Sequence, residues 1–186
     1  QAFATQYTGD IALRILPSAG NLGVAGNFMT CARACTGDWI VFSDQDDCWH
    51  EDRLAQFEQV ITQQPHAAAL LSDGRIVDAS GQPTGQSLWL SHYFYPQEQQ
   101  WVQQGRAEKI LARHVFVTGS ALAVRRDWLQ NVPDPAPEFY HDEWLGWFAG
   151  ENLRLLPAET FDYRQHASQQ TGIHTTWRAK WEHLQQ

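Results

Sequence analysis

Gly37-Asp38-Trp39-Ile40-Val41-Phe42-Ser43-Asp44-Gln45-Asp46-Asp47 is the stretch on which the reading of the fold turns. Trp39 to Phe42 is an unbroken apolar run of strand length, which predicts a strand buried on both faces in a mostly parallel sheet of the α/β class. The run ends abruptly in acid. Carboxylates crowded at the carboxyl end of a buried strand repel one another unless a cation or hydrogen-bond donors offset them. A divalent ion is the economical solution: oxygen ligands favour Mg²⁺ or Mn²⁺, whose shell is usually completed by substrate phosphates and water. The bland alternative is a solvated acidic turn that caps the helix behind it.

Working outward, residues 11–16 read as a short strand, followed by a turn and the loop Asn21-Leu22-Gly23-Val24-Ala25-Gly26-Asn27. Asn27 is placed to cap a helix on which Phe28, Cys31, Ala32 and Cys35 share an apolar face, with Gly37 where the helix should stop. This makes Cys31 and Cys35 core residues. Beyond the acidic turn, residues 51–63 read as a helix with Leu54, Phe57 and Ile61 inward. Residues 67–72 and 75–78 read as two short strands, and residues 82–104 as a long loop or lid. Strand character resumes over residues 115–125, broken at Thr118-Gly119-Ser120. A helix from His141 to about residue 150 should bury Trp144, Leu145, Trp147 and Phe148. Residues 153–156 and 161–164 make late strands, and Trp177, Trp181 and Leu184 mark one face of a terminal amphipathic helix.

Composition narrows the function. Thirteen Lys plus Arg against 21 Asp plus Glu give a net charge of −8, and Lys109 and Lys180 are the only lysines. No basic stripe exists for a phosphate backbone or an anionic membrane, so a nucleic-acid partner is excluded. At 43% hydrophobic with nine Trp, the 186 residues can bury a core and fall within the size of one domain, here 1–186. No apolar run approaches membrane-spanning length. Cys31, Cys35 and Cys48 are an odd set in a chain of this size, which suits the reducing cytoplasm. The first residue is Gln1 and the sole methionine is Met29, so a trimmed or truncated chain is expected.

Two further clusters carry chemistry. Asp142-Glu143 opens a helix, where acids also favour the helix dipole for purely local reasons. Facing a cleft, Asp142 would serve as a base for an incoming hydroxyl. Tyr163-Arg164-Gln165-His166 follows the last strand. An imidazole can complete a metal shell, and a guanidinium fork suits a diphosphate, although an Arg-His pair in a loop is often a packing detail. Cys31, Cys35, Cys48 and His50 supply no paired zinc ligands.

Taken in order, Asn21-Leu22-Gly23 with Asn27, the stretch from Gly37 to Asp47 with Trp49, Thr118-Gly119-Ser120-Ala121, His141-Asp142-Glu143-Trp144, and Tyr163-Arg164-Gln165-His166 with Gly172 resemble the family 2 glycosyltransferases. The nearest branch is the bacterial rhamnosyltransferase-like one. The resemblance implies a GT-A fold binding a nucleoside-diphosphate sugar over a mixed sheet. It assigns the metal to Asp44, Asp46 and His166, the donor to Asn21, Gly23, Asp44, Asp47 and Arg164, and the acceptor side to Gly119. Asp142 looks like the catalytic base, with Glu143 the competing candidate because relatives often carry an aromatic there. The implied reaction is metal-dependent, inverting transfer of a sugar, rhamnose by branch, to a glycan or lipid-linked acceptor in cell-surface polysaccharide synthesis. Such work fits the cytoplasm, at the inner face of the membrane; the Trp177 and Trp181 stripe is read first as packing against the domain and second as a weak peripheral membrane contact. The family normally begins with a strand-helix-strand unit that grips the base; nothing here matches it, so an N-terminally incomplete domain is expected. Two other readings stand beside this one: a haloacid-dehalogenase-type phosphatase with Asp44 as nucleophile, and a catalytically silent glycan-binding fragment.

Overall fold

A computed structural model describes residues 12–17 and 20–166. Its elements are α1 (Gly23–Ala34), β1 (Trp39–Val41), β2 (Cys48–Trp49), α2 (Arg53–Gln63), β3 (Ala69–Val77), β4 (Pro83–Ser87), α3 (Leu88–Ser91), α4 (Pro96–Gln103), α5 (Glu108–Leu111), β5 (Leu122–Arg125), α6 (Arg126–Leu129), α7 (His141–Ala149) and β6 (Leu153–Arg164). Single 3₁₀ turns at Gly119–Ala121 and Gly150–Asn152 lead into β5 and β6. Among the described residues no helix is long and apolar enough to cross a membrane.

The strands form one mixed sheet in the order β1-β5-β3-β6-β2, with β4 also on β3. Of its pairings only β3 with β6 is parallel; β1–β5, β3–β5, β3–β4 and β2–β6 are antiparallel. The expected α/β mixed sheet is therefore present, but not mostly parallel. An unbroken apolar run reports burial on both faces and is silent about strand direction. The burial itself holds. Ile40 and Phe42 join a core containing Ala69, Leu71, Leu122, Val124 and Leu153, while Trp39 and Val41 pack on a second cluster of Phe57, Leu70, Ala123 and Leu156. The alternation along β3 and β5 sorts side chains between the two faces.

Several local expectations give way to packing. Residues 12–16 form no strand. Helix α1 begins at Gly23, and Asn21 Oδ1 accepts from the Gly23 N–H at 2.9 Å. Asn27 therefore lies inside the helix and is not its cap. Met29 and Ala32 face the core, with Phe28 packed against it, whereas Cys31, Cys35 and Cys48 are exposed. The two short strands predicted on either side of Gly74 are one strand, β3, whose register with β6 shifts around Asp73. The two late strands are likewise one twelve-residue strand, β6. Residues 82–104 are no open loop: they hold β4, α3 and α4, pinned by buried Leu88, Trp89, Phe94 and Val102. In α7 Leu145 is buried, but Trp147 and Phe148 are exposed. Gly172 and the Trp177, Trp181 and Leu184 stripe lie outside the described residues.

The largest departure is in α2, where Leu54 is exposed at 56% and Arg53 is fully buried in its place. The Arg53 guanidinium lies 4.8 Å from the Trp49 ring, 5.1 Å from Phe57 and 4.8 Å from Phe161. It donates to Thr160 Oγ1 at 2.7 Å and to the Ser120 carbonyl. Thr160 passes the chain on to Ser72 Oγ at 2.8 Å. One cation thus ties α2, β2, β6, β3 and the turn before β5, with aromatic faces replacing part of its hydration. Burial pushes Arg53 down to about 10, against a smaller upward pull from Asp47.

Two substitutions test this junction by urea denaturation. Arg53→Ala leaves the Thr160 hydroxyl and the Ser120 carbonyl short of a donor and opens a cavity, and should cost about 3 kcal/mol; a loss under ~0.5 kcal/mol would contradict the role. Gly74→Ala should cost roughly 1–3 kcal/mol, because the new methyl would stand 2.8 Å from the Phe161 ring.

Candidate active site

The acidic turn leaves β1 at Phe42, whose N–H donates to the Leu122 carbonyl at 3.0 Å. From there the three aspartates diverge to different partners. Asp44 Oδ2 accepts from Ser120 Oγ at 2.6 Å. Asp46 Oδ2 lies 2.9 Å from His166 Nε2. Asp47 Oδ1 accepts from the Arg164 N–H at 3.1 Å, while its Oδ2 is buried without a hydrogen-bond partner. Arg164 also sends Nε to the Asp46 carbonyl at 3.1 Å and a terminal nitrogen to the Ala79 carbonyl at 3.2 Å. The end of β6 is therefore laced onto the turn.

The electrostatic consequences follow from burial. Asp47 is pushed up to about 6, chiefly by desolvation, with Asp44 and Asp46 adding to the rise and the Ser120 hydroxyl and Arg164 N–H opposing it. Asp44 is raised for the same first reason, with Ser120 and His141 working against it. Tyr163 is raised as well, by burial and then by Asp47, Asp44, Asp46 and Asp142. Its phenol thus sits within the field of all four aspartates.

Asp142 enters from the first turn of α7. Its Oδ2 accepts from the Gly119 N–H at 2.8 Å and its Oδ1 from the Glu143 N–H at 2.8 Å. The 3₁₀ turn Gly119–Ala121 thus holds both sides of the site, Asp142 through a backbone donor and Asp44 through Ser120. Gly119 is required there: a Cβ would stand 2.9 Å from His141 Nε2 and 3.7 Å from Asp142 Oδ2. His141 itself is buried, stacked on Phe28 with centroids 4.1 Å apart, and neither ring nitrogen has a hydrogen-bond partner. Desolvation lowers its affinity for a proton, opposed by Asp142 and Asp44. Glu143 is 6% exposed, which leaves Asp142 the more accessible of the two acids.

Of the residues singled out in the sequence, Asp44, Asp46, Asp47, Asp142, Gly119, Arg164 and His166 come together in this way. Asn21 and Gly23 do not join them by any described contact. They stand at the start of α1, where Gly23 borders a separate groove of about 930 Å³ shared with residues 134–137. Among the described residues no three His, Cys, Asp or Glu side chains stand close enough together to hold a metal ion. Asp46 and His166 converge as one oxygen and one nitrogen, two donors to which a divalent cation would have to add phosphate and water. Asp44 is engaged with Ser120 and is not part of that pair. Sequence alone assigns no separate role to Ser120, His141, Tyr163 or Arg53. The first three adjoin residues to which it does assign one, which is the one signal that could have found them.

Comparison with known proteins places the chain in context. The family described as Glycosyl transferase family 2 matches residues 1–132. No curated protein matches the chain. A crystal structure of S. aureus TarS 1-349 in complex with UDP-GlcNAc aligns with TM-score 0.50 and 14% identity, over 80% of this chain and 40% of that one. This likeness is one of fold, and the chain spans less than half of that protein. The family match goes with the transferase resemblance and not with the phosphatase alternative.

The raised carboxyls have a signed consequence for stability. Folded Asp47 holds its proton up to about pH 6 against 3.8 as the ordinary value, so its contribution is complete below 3.8 and is lost as pH rises through about 6. In chelator, the urea midpoint should fall over that window, and Asp47→Asn should flatten the fall; an unchanged profile in the variant would contradict the assignment.

Proposed function

The chain belongs to glycosyl transferase family 2, and from that premise we propose that it carries the catalytic site of a metal-dependent, inverting glycosyltransferase. The donor is a nucleoside-diphosphate sugar, and the acceptor is a hydroxyl of a glycan or a lipid-linked saccharide. The observation that carries the reading is one cluster in which Asp46 pairs with His166, Arg164 is laced to the same turn, and Asp142 is fixed by the Gly119 N–H. TarS, the similar fold, was crystallised with a nucleotide sugar, UDP-GlcNAc. Rhamnose as the sugar, and cell-surface polysaccharide as the product, rest on the motif resemblance.

Asp142 is the base. Both of its oxygens accept backbone N–H bonds, so the carboxylate is held in one orientation. It takes the proton from the acceptor hydroxyl as that oxygen forms its bond to the anomeric carbon. The bond from that carbon to the diphosphate oxygen breaks on the opposite face, its electron pair leaves with the nucleoside diphosphate, and configuration inverts. No enzyme nucleophile takes part. Asp46 and His166 would hold Mg²⁺ or Mn²⁺, which when bound supplies positive charge to the departing diphosphate. Arg164, laced to the same turn by the Asp46 carbonyl, would offer its charge to the same phosphates. By the motif resemblance Asp44, steadied by Ser120, would approach the donor's sugar or ribose, and Asp47 would support that pocket from behind.

Calorimetric titration of UDP, GDP and dTDP, each with and without Mn²⁺, tests the donor site. One nucleotide should bind only with the ion, and Asp46→Ala should abolish that binding; binding that is indifferent to Mn²⁺, or none by any nucleotide, would contradict the reading. With the matching nucleotide sugar, Asp142→Asn should lower turnover by roughly 10²–10⁴-fold while leaving nucleotide affinity in place. An equal loss from Glu143→Gln with Asp142→Asn still active would move the base to Glu143.

A further inference from the structure

Residues 92–95 form a tight loop between α3 and α4 with an alternating arrangement. His92 points inward, Tyr93 is 65% exposed, Phe94 is fully buried, and Tyr95 is 49% exposed. The loop is held closely: the Tyr93 N–H donates to the Leu90 carbonyl at 3.0 Å, Phe94 to Trp89 at 2.8 Å, and Tyr95 to Tyr93 at 3.2 Å. Tyr93 has φ +58°, the one non-glycine residue with a positive φ among those described. A bulky side chain there is disfavoured and persists only where its surroundings over-determine it. What over-determines it is Phe94, which stacks on Phe116 at 4.3 Å and meets Trp89 edge-on at 5.2 Å. Burial of Phe94 thus holds the turn at Tyr93 and leaves two tyrosines standing outward.

Those tyrosines are tied to the reaction site twice. Phe116 lies two residues before Thr118, and His92 Nε2 reaches Thr118 Oγ1 at 3.4 Å. Thr118 precedes Gly119, whose N–H holds Asp142. His92 also lies within the field of Asp142, which opposes the lowering that burial imposes on the imidazole. The loop that displays Tyr93 and Tyr95 is therefore braced against the turn that orients the base.

The rings of Tyr93 and Tyr95 stand 6.5 Å apart at 61°, a corner of two aromatic faces with hydroxyls at the rim. We propose that this corner is an acceptor subsite on which a neutral sugar ring stacks, its apolar C–H face on a tyrosine and its hydroxyls in water or on the phenols. The negative face of an aromatic ring suits the polarised C–H bonds of a sugar, and a tyrosine offers this surface at low conformational cost. Charge decides against an anionic lipid surface: residues 88–99 contain no Lys or Arg, and Glu98 is their one charged side chain. The subsite rests on the transferase reading through the link of its loop by His92 and Thr118 to the turn that holds Asp142, yet glycoside binding can be measured without donor or metal.

The test is saturation-transfer NMR with methyl glycosides of rhamnose, galactose and N-acetylglucosamine on the wild type, Tyr93→Gly and Tyr95→Ser. Tyr93→Gly suits the backbone at φ +58°, so it should fold at least as stably while losing the ring. At least one glycoside should bind the wild type, and each variant should bind it about tenfold more weakly, with Mn²⁺-dependent nucleotide binding unchanged. Undiminished glycoside binding in both variants, or none by the wild type, overturns the subsite while nucleotide binding separately judges the transferase reading. Co-sedimentation of the wild type with phosphatidylglycerol vesicles, lost in Tyr93→Gly, would overturn it in favour of a membrane contact.

Discussion

The constraint on which the rest of the structure depends is the crowding of carboxylates where β1 ends. Asp44, Asp46 and Asp47 follow a strand covered on both faces, so they emerge into a partly desolvated space with their mutual repulsion poorly screened. Each is met by a different segment: Ser120 from the turn before β5, His166 from beyond β6, and the Arg164 N–H from the last residue of β6. The compensation is by hydrogen-bond donors, and it is incomplete. Asp47 Oδ2 remains unpartnered, and burial still holds Asp44 and Asp47 above their ordinary range. A site in that condition favours whatever brings positive charge to it.

Holding those donors in place is the work of the sheet. Strand β6 pairs with β3 from Leu153 to Arg164, and its last residue, Arg164, also reaches the acidic turn. Its register shift around Asp73 lets Gly74 pass beneath Phe161, whose ring is also one wall of the Arg53 box. Arg53 in turn holds the Ser120 carbonyl, and Ser120 holds Asp44. Core, buried cation and acidic turn are one connected arrangement, so a change at the box should be felt at the site.

The parts of this that sequence made legible are those with a strong local signal. The four apolar residues before the acid marked β1, and the order of acidic and Arg-His clusters marked most of the site. What stayed hidden was decided at long range. Arg53 took the buried position that periodicity gave to Leu54, because three aromatic faces and two oxygens from distant segments receive it. Strand β3 looks like two in sequence because Asp73-Gly74 resembles a break, yet the parallel partner β6 carries the ladder across it. Polar composition made residues 82–104 look like a loop, although Trp89, Phe94 and Val102 supply enough burial to order them. Cys31 and Cys35 fitted an apolar stripe, but the face that packs is centred on Met29 and Ala32.

The most direct measurement is a ¹³C carboxyl NMR titration of the metal-free protein, following the aspartates of the acidic turn one by one. Asp47 should titrate at about 6, and Asp44 above its ordinary 3.8. Titration of both near 3.8 would mean that the turn is an ordinary solvated loop, and the claim that buried, partly compensated carboxylates organise this site would fail.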